Sequence, residues 1–198
     1  MARLFPALEP SDIDNPGERL VARALVEQLP NKVEVFHGFN WLSRSRQGTL
    51  MEGECDFVLL DPERGLLFVE VKGGSLVFDG RDWIRQVGAE RRNLNKDPFS
   101  QAQRAMHDLV ELVKRRFPRA GDELPCTYGL AVAFPDCRVS GNLPPSIQPE
   151  LILDAARMTN LEDSVRRVFA GFSRSGHRAL TEREMESVRE ALYPKYQL

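Results

Sequence analysis

The stretch DFVLLDPERGLLFVEVKGG, residues 56–74, decides how this chain folds. Its apolar runs, Phe57 to Leu60 and Leu66 to Val69, are too short for helices and read as buried strands. Asp61-Pro62, followed shortly by Gly65, is a strong turn signal between them, so the stretch predicts a hairpin with strands over 55–60 and 66–72. Three charged residues interrupt its apolar character: Asp56, Glu70 and Lys72. A buried charge is costly unless it is paired, hydrogen-bonded or bound to a metal.

Glu70 and Lys72 are two residues apart and project from one face of their strand. Asp56, on the preceding strand, comes close to the same edge when the hairpin pairs across its turn. Two carboxylates at close range repel, and a divalent cation relieves the repulsion. Hard oxygen donors with no His or Cys nearby point to Mg²⁺ or Mn²⁺ rather than Zn²⁺. A lysine beside such a centre can stabilise charge on a phosphate or orient an attacking water, which suits phosphodiester hydrolysis. The charged trio is then expected to meet at the edge of the sheet. Two other readings stay open: Glu70 and Lys72 as a plain ion pair on an edge strand, and Glu54 as the carboxylate in place of Asp56.

Outward from the hairpin, residues 15–29 place Leu20, Val21, Ala24, Leu25 and Leu29 at helical spacing, with Glu18 in the first turn. Residues 32–42 read as a strand and 43–54 as a polar loop. Residues 75–86 form a second hairpin, with Asp79-Gly80 suited to a type I′ turn. Residues 98–117 are an amphipathic helix whose buried face is Met106, Leu109, Val110 and Val113. A buried strand over 126–136, a proline-rich link and a short strand at 151–154 follow. Helices over 160–172 and 180–192 end the pattern, the last opened by a Thr181 to Glu184 capping box. This order predicts an α/β fold, a mixed central sheet flanked by helices. The chain divides into an extension (1–14), a main domain (15–175) and a helical tail (176–198) open to a further domain.

The 198 residues carry a net charge of −2, unevenly spread. Residues 1–80 hold eight basic and thirteen acidic residues, whereas 81–119 hold ten basic against five acidic. An acidic face beside a basic segment suits a metal-dependent enzyme on a polyanion; a solvated helix face accounts for the charge equally well. If the ligand is DNA, its phosphates are expected along Arg81, Arg85, Arg91, Arg92 and Lys96 toward Gln101. No stretch approaches the roughly 18 apolar residues of a membrane span, and the first residues lack the apolar core of an export signal. Cys55, Cys126 and Cys137 form no CxxC pair, so a reduced, cytoplasmic setting is expected. His37, His107 and His177 show no ligand spacing, and no P-loop is present. Trp83 reads as core, with base stacking the alternative.

The Gly17-Glu18 pair in the first helix, the stretch GECDFVLLDPERGLLFVEVKGG, the tryptophan after it and DPFSQAQ opening the next helix together resemble the nuclease-related domain, NERD. That family belongs to the RecB-like branch of the PD-(D/E)XK nucleases, and the resemblance covers about residues 15–135. It implies a restriction-endonuclease-like fold and Mg²⁺- or Mn²⁺-dependent DNA hydrolysis in DNA processing or repair. Glu18, Asp56 and Glu70 would be metal ligands, Lys72 the catalytic lysine and Gln101 the residue that positions substrate or the lysine. A helicase module is the partner such domains often precede. The chain departs from the pattern at Ala105, where the RecB-type aromatic is expected, which bears on substrate positioning rather than metal binding. The alternative is an inactive module of the same fold that docks DNA or a helicase.

Overall fold

The computed structural model describes residues 1–44, 50–87, 89–117, 123–139, 143–144 and 146–192. Its core is a six-stranded mixed sheet in the order β1-β2-β3-β4-β8-β9, with a separate three-stranded sheet, β5-β6-β7. The strands are β1 (Arg3–Phe5), β2 (Glu34–Arg44), β3 (Leu50–Asp61), β4 (Gly65–Val71), β5 (Ser75–Phe78), β6 (Trp83–Val87), β7 (Glu90–Asn93), β8 (Thr127–Phe134) and β9 (Ile152–Asp154). The helices are α1 (Pro16–Gln28), α2 (Pro98–Lys114), α3 (Leu161–Phe172) and α4 (Glu182–Leu192).

The apolar run of β4 is explained by its place. It is antiparallel to β3 on one side and parallel to β8 on the other, and all seven of its residues are buried. Such a strand has no solvated face and so shows no alternation. Phe68 and Leu66 point into a core shared with α2 and α4; Leu67 and Val69 point into a second core shared with α1 and α3. Helices therefore cover both faces of the sheet, as expected. Met106, Leu109, Val110 and Val113 are all buried under α2. The Thr181–Glu184 capping box is present: Glu184 N donates to the threonine hydroxyl (3.3 Å) and Thr181 N to the Glu184 carboxylate (2.8 Å). A deep ionic tie joins α4 to the sheet, with Arg189 Nε 2.9 Å from the fully buried Glu34 carboxylate.

Three expectations change. The polar stretch 43–54 is mostly strand, since β2 and β3 remain paired out to Arg44 and Leu50; residues 45–49 lie outside the described set. The β5–β6 hairpin turns one residue later than Asp79-Gly80. The Asp79 carboxylate accepts from Arg81 N (2.9 Å) and Asp82 N (2.8 Å), so Asp79 anchors the turn from its first position. Finally, β3 and β4 are central strands, so the charged trio lies in the middle of the sheet, not at its edge: Glu70 and Lys72 at the end of β4, and Asp56 within β3 just past the end of its pairing with β4. The 193–198 segment lies outside the described residues.

The alternation of faces slips at one point. Phe36 and Phe39, three residues apart on β2, both pack into the α2-side core, as do Cys55 and Val58 on β3. Between them lie Gly38 and Asp56, the one position along the described β2–β3 ladder at which the two strands do not pair, and Gly38 has φ 63°. That left-handed backbone is open to glycine at little strain and twists the strand where Asp56 stands. No helix among the described residues is long and apolar enough to cross a membrane.

Candidate active site

The parallel pairing of β4 and β8 brings the ends of both strands to one place. Lys72 N donates to Ala133 O (2.9 Å), and one turn further Gly74 N donates to the Asp136 carboxylate (2.6 Å). The N-terminus of α1 abuts the same strand end. A Cβ on Gly17 would stand 3.0 Å from Gly73 Cα, so backbone meets backbone there, and the approach leaves little room for any side chain at position 17. The adjacent residues, Glu18 and Lys72, are thereby brought to one locus. Asn15 caps the helix by accepting from Gly17 N (3.0 Å) and Glu18 N (3.3 Å), which leaves the Glu18 side chain to face the sheet. An acidic residue in a first helical turn is also favoured by the helix dipole.

Around this locus stand the expected residues. Lys72 Nζ is 2.5 Å from Glu70 Oε1, both largely buried. Asp56 Oδ2 accepts from Val71 N at 2.6 Å. Burial pushes the Asp56 carboxyl up to about 7, helped by the negative charges of Glu70 and Glu18, against the Val71 amide and Lys72. Glu70 is also raised, first by burial, with Glu54 and Glu18 adding to it and Lys72 opposing. The sites thus feel one another: Glu18, Asp56 and Glu70 form one electrostatic group, with Lys72 the cation set directly against it. Glu54, the alternative carboxylate, belongs to its rim.

Gln101 lies in the first turn of α2, whose N-cap Asp97 accepts from Ser100 N (2.7 Å) and from the Trp83 indole (2.9 Å). It lines a cavity of about 620 Å³ with Glu54, Glu52, Trp41, Lys96 and Ala105. Ala105 is buried there, so the missing aromatic leaves wall rather than a stacking ring. Trp83 itself is core: it is 5% exposed and stacks on Phe134 with ring centroids 5.2 Å apart.

The basic residues divide. Arg85 and Arg92 are directly opposite each other on β6 and β7, and Arg91 is opposite Gln86. Opposed residues share a face, so Arg91 is on the other side of this small sheet from Arg85 and Arg92, and the five cations do not form one line. Arg85 runs past Gly74, its Nε 3.8 Å from where a Cβ there would sit, two residues beyond Lys72. Arg81 is at the hairpin tip, and Arg92 pairs with Glu90 at 2.8 Å. Arg119 lies outside the described residues.

Two residues at the site were not singled out as part of it. His37 Nε2 is 2.8 Å from Glu18 Oε2, so the premise that no histidine is near fails; the pair is nineteen residues apart, across a helix and a strand, and spacing does not show it. Asp136 is visible only once β4 and β8 are known to be parallel. Cys55 is buried beneath the site, its thiol pushed well up by burial and then by Asp56 and Glu70, and is an inert core thiol.

The donor chemistry fits a hard divalent cation: three carboxylates that raise one another's or their neighbours' pKa, at a break in the ladder. Among the described residues, however, no three His, Cys, Asp or Glu side chains are gathered into a metal cage, and Glu70 is engaged by Lys72. A family model for the nuclease-related domain, NERD, matches residues 13–133, and the chain belongs to that family. Its six-stranded mixed sheet with helices on both faces is of the restriction-endonuclease-like class. No curated protein and no solved structure matches the chain.

The raised Asp56 carboxyl has a consequence for stability. Its folded pKa of about 7 lies above the unfolded value of 3.8, so between these pH values the folded state holds a proton that the unfolded state has lost. Stability attributable to this group is full below about pH 4 and falls as pH rises toward 7, by up to about 4 kcal/mol. In chelator-treated protein, urea melts should show Asp56→Asn gaining on the wild type across that window and matching it near pH 4. A constant difference from pH 4 to pH 7.5 would contradict the assignment.

Proposed function

We propose that this domain is a Mg²⁺- or Mn²⁺-dependent nuclease that hydrolyses DNA phosphodiesters, of a kind used in DNA processing or repair. The observation that supports it most is the burial of Asp56 and Glu70 beside Lys72, with Glu18 brought to them by the Gly17–Gly73 contact. Charges so placed serve no packing purpose and are expensive to keep. Glu18, Asp56 and Glu70 would hold the cation. When bound, it supplies Lewis-acid stabilisation of charge on the phosphodiester and a water acidic enough to attack at neutral pH. Lys72 adds a fixed positive charge where the phosphoryl oxygens become more negative, and its ammonium orients the water by hydrogen bonding. Gln101 lines the adjoining cavity and orients the nucleotide that enters it. A cytoplasmic setting and a helicase partner are consistent with this role.

One observation favours a second reading. Glu70 is already paired with Lys72, and no metal cage stands ready among the described residues, as in a nuclease fold kept for docking DNA or a helicase. Cleavage separates the two. Plasmid and single-stranded DNA should be cut with Mg²⁺ or Mn²⁺ and not with EDTA, and Lys72→Ala should lower the rate by roughly 100-fold or more. Equal cleavage by wild type and Lys72→Ala would mean the activity is not the domain's own.

DNA backbone contacts carry no base information, so binding should be sequence-tolerant and fall steeply with salt. Because Arg85 and Arg92 share the face near Gly74, replacing both with alanine should make the salt dependence of log Kd shallower by roughly 1 to 2. Arg91→Ala should change it less. Unaltered affinity and slope in the double variant would place the DNA elsewhere.

A further inference from the structure

We propose that His37 is a positioning residue of the cation site, holding the Glu18 carboxylate through its Nε2–H; this rests on the reading of Glu18, Asp56 and Glu70 as the cation's ligands. His37 lies on β2 directly opposite Phe57, the chain neighbour of Asp56. Its ring leans on Phe57, with centroids 5.0 Å apart and planes at 40°. Gly38, which follows it, is the left-handed residue at the break in the ladder. The imidazole is thus fixed from one side by an aromatic ring and placed by the same distortion that sets Asp56.

From that position Nε2 reaches Glu18 Oε2 at 2.8 Å, with only 15% of the histidine side chain and 17% of the glutamate side chain exposed. A carboxylate can only accept, so in this contact Nε2 carries the hydrogen. A nitrogen that donates has no lone pair to offer a cation, so at Nε2 His37 acts on the site through Glu18. Glu18 needs such a partner. It stands in the first turn of α1, and its long side chain has several rotamers to lose when it is held in one place. Asn15 and the Gly17–Gly73 contact hold its backbone, and His37 is the group that holds its carboxylate. Hydrogen-bonding partners of ligating groups typically account for 10- to 100-fold in metal affinity.

The test is calorimetric titration of Mn²⁺ and of Mg²⁺ into wild type, His37→Ala, His37→Gln, Glu18→Ala and the Glu18→Ala/His37→Ala double variant, with thermal melts showing that each is folded. His37→Ala should weaken Mn²⁺ binding by about 10- to 100-fold. His37→Gln, whose amide can donate to the same oxygen, should recover most of the loss. In the Glu18→Ala background the histidine change should cost nothing further. Wild-type affinity in His37→Ala would overturn the proposal and leave the pair as a tie between α1 and β2. A further loss in the Glu18→Ala background would overturn it in favour of direct ligation by the imidazole. A wild type that binds neither cation would remove the metal site itself, and the role of His37 with it. If His37→Ala does not fold, His37→Phe, which keeps a ring against Phe57 but has no donor for Glu18, takes its place in both backgrounds, with the same outcomes supporting or overturning the proposal.

Discussion

Glu70 is 5% exposed on a strand with no solvated face, and the Lys72 ammonium sits 2.5 Å from its carboxylate. An unpaired carboxylate there would be intolerable, and a paired one is still costly relative to an apolar residue. The sheet around it is arranged to hold that pair. The parallel β4–β8 register fixes the backbone of Lys72 through Ala133, and Asp136 secures the glycine turn that follows. The Gly17–Gly73 contact then adds a third carboxylate to the same point. Lys72 does not offset the cost of burial, which holds the Asp56 and Glu70 carboxyls above their ordinary range. A divalent cation would favour their ionised forms.

The small sheet of β5, β6 and β7 follows directly from the same strand end. Trp83 ties it to the main core through Phe134 and to the cap of α2 through Asp97. Arg85 of this sheet passes close to Gly74, two residues beyond Lys72. An acidic centre thus stands beside a cationic sheet, as the polyanionic substrate proposed above would need.

Much of this was legible in the sequence because it lives in strong local patterns. The unbroken apolar run of β4, the turn after Asp61 and the two-residue spacing of Glu70 and Lys72 lead to the hairpin and to the pair it carries. The buried face of α2 follows from its period. What the sequence hides is of three physical kinds. The strand β7 is Glu-Arg-Arg-Asn, exposed throughout, and a polar strand has no hydrophobic period to read. The β2–β3 faces slip at Gly38 and Asp56, so alternation fails at the point where the site is built. His37 and Asp136 join the site through pairings between distant segments, His37 with α1 and β8 with β4, for which residue spacing carries no signal. The position of the trio in the middle of the sheet depends on the β4–β8 pairing in the same way.

The central claim is that Asp56 and Glu70 are kept for a cation and not for Lys72 alone. Anomalous diffraction from crystals grown with Mn²⁺ addresses it directly. The account predicts a manganese peak bounded by the Asp56 and Glu70 carboxylates, at the roughly 2.2 Å of Mn–O bonds to hard oxygen ligands, with Lys72 Nζ drawn off Glu70. Crystals at saturating Mn²⁺ that show no peak there, and Lys72 still paired with Glu70, would contradict it.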